Sequence, residues 1–237
     1  IIFDARGRMV VAEGADFGAR RVTRTDLATG RSVMLAWTFN GRRFNSPNDV
    51  TIDGAGRAFF TDPRYVGHES IEQPVMGVYR IDTDGSVHLV IADAGKPNGV
   101  EASPDGKTLY VSSGGNLATA PVAASIPVRA TVNALLAYDL LADGSARFRK
   151  VLVTYETGPD GMTVDTDGNI YAAIPGPADQ MGVHVYSPVG ERLAFISVPQ
   201  APSNVTFGRG ADARTLYITA RTGLYRIRLN RTGHHPK

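Results

Sequence analysis

The sequence predicts an all-β chain folded as a β-propeller of four-stranded antiparallel blades, one domain over residues 1–237. Two observations carry this. A unit made of an Asn or Asp, a short alternating strand, a Gly turn and a second strand recurs along the chain. The opening positions of that unit are Asn48, Asn98, Asp160 and Asn204, which lie 50, 62 and 44 residues apart, a blade-like period.

The unit from Asn48 shows the pattern most fully. Val50-Ile52, Ala58-Thr61, Gly77-Ile81 and Val87-Ile91 read as four strands, with Asp53-Gly54-Ala55-Gly56 and Asp82-Thr83-Asp84-Gly85 as turns. The next unit runs from Pro97-Asn98-Gly99-Val100 through Ser103-Pro104-Asp105-Gly106 to Leu109-Ser112, with a later turn at Asp143-Gly144. A third runs from Asp160-Gly161-Met162 through Asp165-Thr166-Asp167-Gly168 to Ile170-Tyr171 and turns again at Pro188-Val189-Gly190. The last opens at Ser203-Asn204-Val205, continues to Leu216-Thr219 and supplies a third strand, Gly223 to Leu229, but no fourth.

A first unit opens inside a strand at Ile1-Ile2-Phe3 and carries the turn Asp4-Ala5-Arg6-Gly7-Arg8. Asp53 follows Asn48 by five residues, so the opening position that would precede Asp4 falls before residue 1. Five units are therefore visible, and the register reads as a chain lacking about one N-terminal blade. A five-bladed ring with an open seam is the alternative; unpaired strand edges weigh against it.

Composition narrows the function. Lys+Arg 25 against Asp+Glu 23 gives a net charge of +2 without a basic run, so no nucleic-acid partner is expected. The chain has no Cys, which excludes disulfides, thiolate chemistry and Cys-ligated zinc. No stretch is apolar enough to span a membrane as a helix. The reading is a soluble protein, cytoplasmic or exported, of undefined oligomeric state.

In a blade that begins at the channel mouth, the connection from second to third strand returns to that mouth. The loops Glu13–Arg20, Asp62–Met76, Ser113–Asn133, Ile174–Gly182 and Arg221–Thr222 therefore share a face with Asn48, Asn98, Asp160 and Asn204. Amide and carboxylate oxygens at one register converge on the axis, a donor set suited to a hard cation, Ca²⁺ above all. The plain alternative is that these residues start strands by bonding backbone.

Phe44-Asn45-Ser46-Pro47-Asn48-Asp49, Phe60-Thr61-Asp62-Pro63, Pro97-Asn98-Gly99, Ser103-Pro104-Asp105-Gly106-Lys107-Thr108-Leu109-Tyr110-Val111 and Asp160-Gly161-Met162 together resemble the gluconolactonase/regucalcin-like family, the senescence-marker-protein type of six-bladed propeller. The resemblance covers essentially the whole chain. It implies hydrolysis of a small-molecule lactone and a divalent metal, usually Ca²⁺, with Zn²⁺, Mn²⁺ or Mg²⁺ as alternatives. It implies that Asn98 and Asp160 bind the metal, that Asp160 also acts as general base, and that Asn48 contacts the metal or the substrate. The family's Glu-Gly-Pro ligand motif is absent; Glu13-Gly14 follows a second strand and reads as a mouth loop. Ser112-Ser113 stands where the family often has an Asp.

His68 on a mouth loop could shuttle a proton or contact substrate, and Arg20 could steer an anionic lactone. His88 and His184 read as surface strand residues, and His234-His235 as a disordered tail. No Gly-x-Ser-x-Gly elbow is present, so a serine-esterase mechanism does not fit. The alternatives to a lactonase are a metal-stabilised propeller that binds a ligand without catalysis, and a propeller resembling strictosidine synthase.

Overall fold

The computed structural model describes residues 1–114, 129 and 132–236. Its strands form five small antiparallel sheets that follow one another in chain order, as blades do. Blade 1 contains β1 (Ile2–Phe3), β2 (Met9–Glu13), β3 (Arg21–Thr25) and β4 (Ser32–Ala36), and the hairpin β5 (Thr38–Phe39) and β6 (Arg42–Arg43) leads out of it. Blade 2 contains β7 (Val50–Ile52), β8 (Ala58–Thr61), β9 (Val78–Ile81) and β10 (Val87–Ile91). Blade 3 contains β11 (Lys96–Ala102), β12 (Thr108–Gly114), β13 (Asn133–Leu140) and β14 (Ala146–Tyr155). Blade 4 contains β15 (Met162–Val164), β16 (Ile170–Ile174), β17 (Gly182–Tyr186) and β18 (Arg192–Ser197). Blade 5 has three strands, β19 (Pro202–Phe207), β20 (Thr215–Ala220) and β21 (Gly223–Arg228).

The propeller architecture is as the repeat predicts, including the fifth sheet without a fourth strand. The blade number differs from the family expectation: the described residues form five blades, not six. In blades 1, 2, 4 and 5 the connection from second to third strand falls where the sequence placed it. The connection between β12 and β13 lies largely outside the described residues.

Local chemistry fixes the first hairpin of blades 1 to 4. The carboxylate of Asp53 accepts the N–H groups of Ala55 and Arg57 at 2.9 and 3.0 Å and pairs with the Arg57 guanidinium at 2.7 Å. Asp4 does the same for Arg6 and Arg8, and Asp165 for Asp167 and Asn169. Each is an Asx-type turn that satisfies backbone donors where the ladder reverses. In blade 3, Ser103 substitutes a hydroxyl, taking the Thr108 N–H at 2.9 Å.

The core lies between blades because strand side chains alternate between the two faces of each sheet. Adjacent Phe59 and Phe60 are both fully buried, yet they point into different clusters. Phe60 joins Phe44, Tyr79 and Val10 between blades 1 and 2, whereas Phe59 joins Leu109, Val111 and Leu136 between blades 2 and 3. Tyr110 and Ile170 join blades 3 and 4, and Tyr171 and Phe207 join blades 4 and 5. Each such aromatic contributes about 2–3 kcal/mol by burial. Blade 5 reaches blade 1 through Arg209, whose Nη2 donates to the Phe3 carbonyl at 2.9 Å with its guanidinium over the Phe3 ring.

Two sequence expectations fail here. His184 is buried, not surface: its ring nitrogens meet the Tyr186 hydroxyl and the Gln180 carbonyl, and Phe195 of β18 packs edge-on against it. The segment around His234-His235 is placed. It bonds to blades 4 and 5 through Thr166 N–H to Thr232 O at 2.9 Å, His234 N–H to Val164 O at 3.0 Å and His235 Nε2 to Gly208 O at 2.9 Å.

Candidate metal and active site

The inner strands β7, β11, β15 and β19 are spatial neighbours, and they bring the backbone after Asn98 against Asp160 and the backbone after Asp160 against Asn204. The Asn98 side chain lies near enough to Asp160 to favour its ionised carboxylate. Backbone contacts hold that approach. The Ser112 hydroxyl accepts the Gly99 N–H at 2.6 Å and donates to the Asp160 carbonyl at 3.0 Å. Ser112 is fully buried, so the residue that departs from the family pattern ties the two site strands together.

The glycines following Asn98 and Asp160 have a steric reason. A Cβ on Gly99 would lie 2.5 Å from the Asp160 carbonyl, and one on Gly161 would lie 2.2 Å from the Asn204 amide. Only a residue without a side chain lets adjacent inner strands approach so closely. Asn204 thus stacks on the backbone of the residue after Asp160. Asn48 is exposed at the mouth, Thr61 accepts its N–H at 2.9 Å, and the Thr61 hydroxyl donates to the Asn98 carbonyl at 2.7 Å.

Sequence reasoning missed two channel carboxylates. Asp49 accepts the Val100 N–H at 2.9 Å, and burial raises its carboxyl above the usual range. Its charge acts with burial to push Asp160 up to about 6, against the Asn98 hydrogen bond. Glu101 lies further in, holding the Thr51 hydroxyl at 2.8 Å. Both line a cavity of about 330 Å³, together with Met162, Asn204, Tyr217 and His234. An acid at the start of an inward-facing strand, as in Asn48-Asp49, was the available signal.

Glu101 gives a pH prediction. Burial first, and the Asp49 charge second, push its carboxyl up to about 8 from an ordinary 4.5, while the Thr51 hydroxyl and the Ala102 N–H oppose. The folded chain therefore retains a proton that the unfolded chain releases, and stability falls as pH rises from 4.5 through about 8. Glu101→Gln keeps the acceptor for Thr51 and removes this loss. Unfolding free energies from urea titration should match the parent's near pH 4, and exceed it by roughly 2–4 kcal/mol at pH 8. Equal midpoints at both pH values would contradict the assignment.

The loop carrying Asn48 is held by a third missed residue, Asp62, which is fully buried. Its two oxygens accept consecutive N–H groups, Ser46 at 2.7 Å and Asn45 at 2.8 Å. Arg64 donates to the Asn45 carbonyl at 2.8 Å, and Arg20 Nε to the Phe44 carbonyl at 2.6 Å. Asp62 is pushed up to about 7 by burial, with the two N–H bonds, Arg20 and Arg64 opposing. Arg20, expected as an exposed cation that steers substrate, is instead 5% exposed, with Nε on the Phe44 carbonyl at 2.6 Å and the guanidinium 3.4 Å from Glu72.

His68 does lie on an exposed mouth loop, its ring edge-on to Phe17 at 5.4 Å and 4.0 Å from Asp16. The loop from Gly14 to Arg20 is strained, with Asp16, Phe17 and Arg20 at φ of 59°, 70° and 54°. Each left-handed non-glycine residue costs roughly 1–2 kcal/mol.

Among the described residues no group of three or more His, Asp or Glu side chains gathers as a metal cluster would. A cation here would be held by a mixed set instead: the Asp160 carboxylate, the Asn98 amide oxygen and the exposed Asn48. These are hard oxygen donors, and Asn98 and Asp160 already converge, so the residues fit Ca²⁺ or a similar ion.

Residues 1–222 match the family described as SMP-30/Gluconolactonase/LRE-like region. The chain belongs to this family. It is 32% identical over 236 residues to a gluconolactonase of Zymomonas mobilis, covering 92% of this chain and 60% of that protein. It is 32% identical over 179 residues to a pentonolactonase, XacC, of Haloferax volcanii, covering 74% of this chain and 53% of that protein. The chain thus spans a little over half of these relatives. Among solved structures of the family, a gluconolactonase of Xanthomonas campestris superposes with a TM-score of 0.77 at 30% identity, covering 96% of this chain and 70% of that one.

Proposed function

We propose that this protein is a metal-dependent hydrolase that opens a sugar lactone or a similar lactone ester at the channel mouth. The observation that carries the reading is the close approach of the backbone after Asn98 to Asp160, where a Cβ on Gly99 would lie 2.5 Å from the Asp160 carbonyl, beside an exposed Asn48 in a chain 32% identical to a gluconolactonase. Asn98, Asp160 and Asn48 are the groups that would hold Ca²⁺, or Zn²⁺, Mn²⁺ or Mg²⁺ in its place. When bound, the ion supplies electrophilic polarisation of the lactone carbonyl.

The chain's own residues do the rest. Asp160 takes a proton from the water that adds to the carbonyl carbon. The ring C–O bond then breaks, and the leaving alkoxide recovers that proton, so lactone plus water gives one hydroxy acid. Asn48 orients the substrate or completes the cation's shell.

The test is acid release in a pH-stat from a panel of aldonolactones, using the full-length chain. Turnover of at least one aldonolactone is expected. Binding without turnover across the panel would favour the non-catalytic propeller.

A further inference from the structure

The loop from Gly14 to Arg20 is built to hold one aromatic side chain in solvent at the mouth. Phe17 is 90% exposed, so its ring adds little to packing. Its backbone is nevertheless fixed in two consecutive left-handed residues, Asp16 and Phe17. The Glu69 carboxylate straddles them, accepting the Asp16 N–H at 3.2 Å and the Phe17 N–H at 3.3 Å. Arg64 in turn pairs with Glu69 at 3.5 Å and donates to the Glu69 carbonyl at 2.7 Å.

This loop is anchored beside the site. The Ala15 N–H donates to the Ser46 hydroxyl at 2.8 Å, and a Cβ on Gly14 would lie 3.4 Å from the Pro47 carbonyl, one residue before Asn48. The facing loop closes against it, since a Cβ on Gly67 would lie 2.8 Å from Ala15 Cβ. Val66, the residue before, is 61% exposed. Strained backbone maintained around an exposed side chain at a site mouth points to ligand contact.

We propose that Phe17 and Val66 form an apolar lip that binds a ring substituent of the substrate, selecting lactones with an alkyl or aryl group over fully hydroxylated ones. The proposal rests on the lactonase reading and names its substrate class. Val66 has no ring face or hydrogen-bonding group for a sugar, so the pair recognises hydrocarbon. Glu69 acts through Phe17 as a positioning residue.

The test compares kcat/KM for a δ-lactone bearing a seven-carbon alkyl chain with that for a polyhydroxylated δ-lactone. Parent, Phe17→Ala and Phe17→Leu forms of the full-length chain are measured. The parent should prefer the alkyl lactone. In Phe17→Ala the alkyl-to-polyhydroxyl ratio should drop about tenfold, chiefly through KM, the scale of one apolar contact in a specificity pocket. Phe17→Leu should restore most of it. A parent that hydrolyses only the polyhydroxylated lactone, or a Phe17→Ala ratio equal to the parent's, overturns the lip while the lactonase reading stands. A parent inactive on both lactones overturns the two together.

Discussion

Replacing Asp160 by Asn is expected to lower lactone hydrolysis by at least about 100-fold, the smaller end of what a positioned acid or base contributes. The substitution conserves shape and leaves one carbonyl oxygen for Asn98 and for a cation. What it removes is the negative charge and the basic lone pairs. Because burial and Asp49 already disfavour the ionised form of Asp160, the variant should unfold at the same urea concentration as the parent or a higher one. That split separates a chemical role from a structural one. Activity within a few-fold of the parent's, measured as kcat/KM in the pH-stat, would remove Asp160 from the mechanism.

The second large effect is expected at Asp62, and it should show first in stability. Asp62→Ala leaves the N–H groups of Asn45 and Ser46 buried without partners, and strips the counter-charge from Arg20 and Arg64. Losing one member of such a buried charged network costs about 3–5 kcal/mol. The urea midpoint should fall accordingly with an unchanged slope. Asp62→Asn keeps one acceptor but turns an amide N–H toward a backbone N–H, so an intermediate loss of about 2 kcal/mol is expected. A midpoint for Asp62→Ala within about 0.5 kcal/mol of the parent's would contradict the role assigned to this carboxylate.

These two residues differ in how far sequence alone reaches them. The placement of Asp160 was legible because it depends on register: it opens an inner strand at the position also held by Asn48, Asn98 and Asn204. The hairpin turns were legible for a related reason, since Asp53 and Arg57 meet within a few residues of one another. Asp62 was visible within Phe60-Thr61-Asp62-Pro63, but its task is to hold a loop 16 and 17 residues earlier in the chain. No local pattern encodes that distance.

Arg20 and His184 show the opposite error. A cation at the end of a mouth loop and an alternating strand His both read as exposed. Arg20 is buried by partners 24 and 52 residues away, Phe44 and Glu72, and His184 by the preceding loop at Gln180 and the neighbouring strand at Phe195. Blade number is a third case. The repeat marks each unit, but the repeats within these 237 residues extend to five sheets, and how a ring closes depends on edges that a local pattern does not describe.

The most direct test of the central claim is chelation. The full-length protein is treated with a chelator, freed of it, and assayed on an aldonolactone before and after Ca²⁺ is restored. Hydrolysis should be lost on chelation and recovered on adding Ca²⁺, and Asn98→Ala should require a higher Ca²⁺ concentration for half-recovery. Hydrolysis that continues unchanged through chelation would contradict a cation held by Asn98, Asp160 and Asn48.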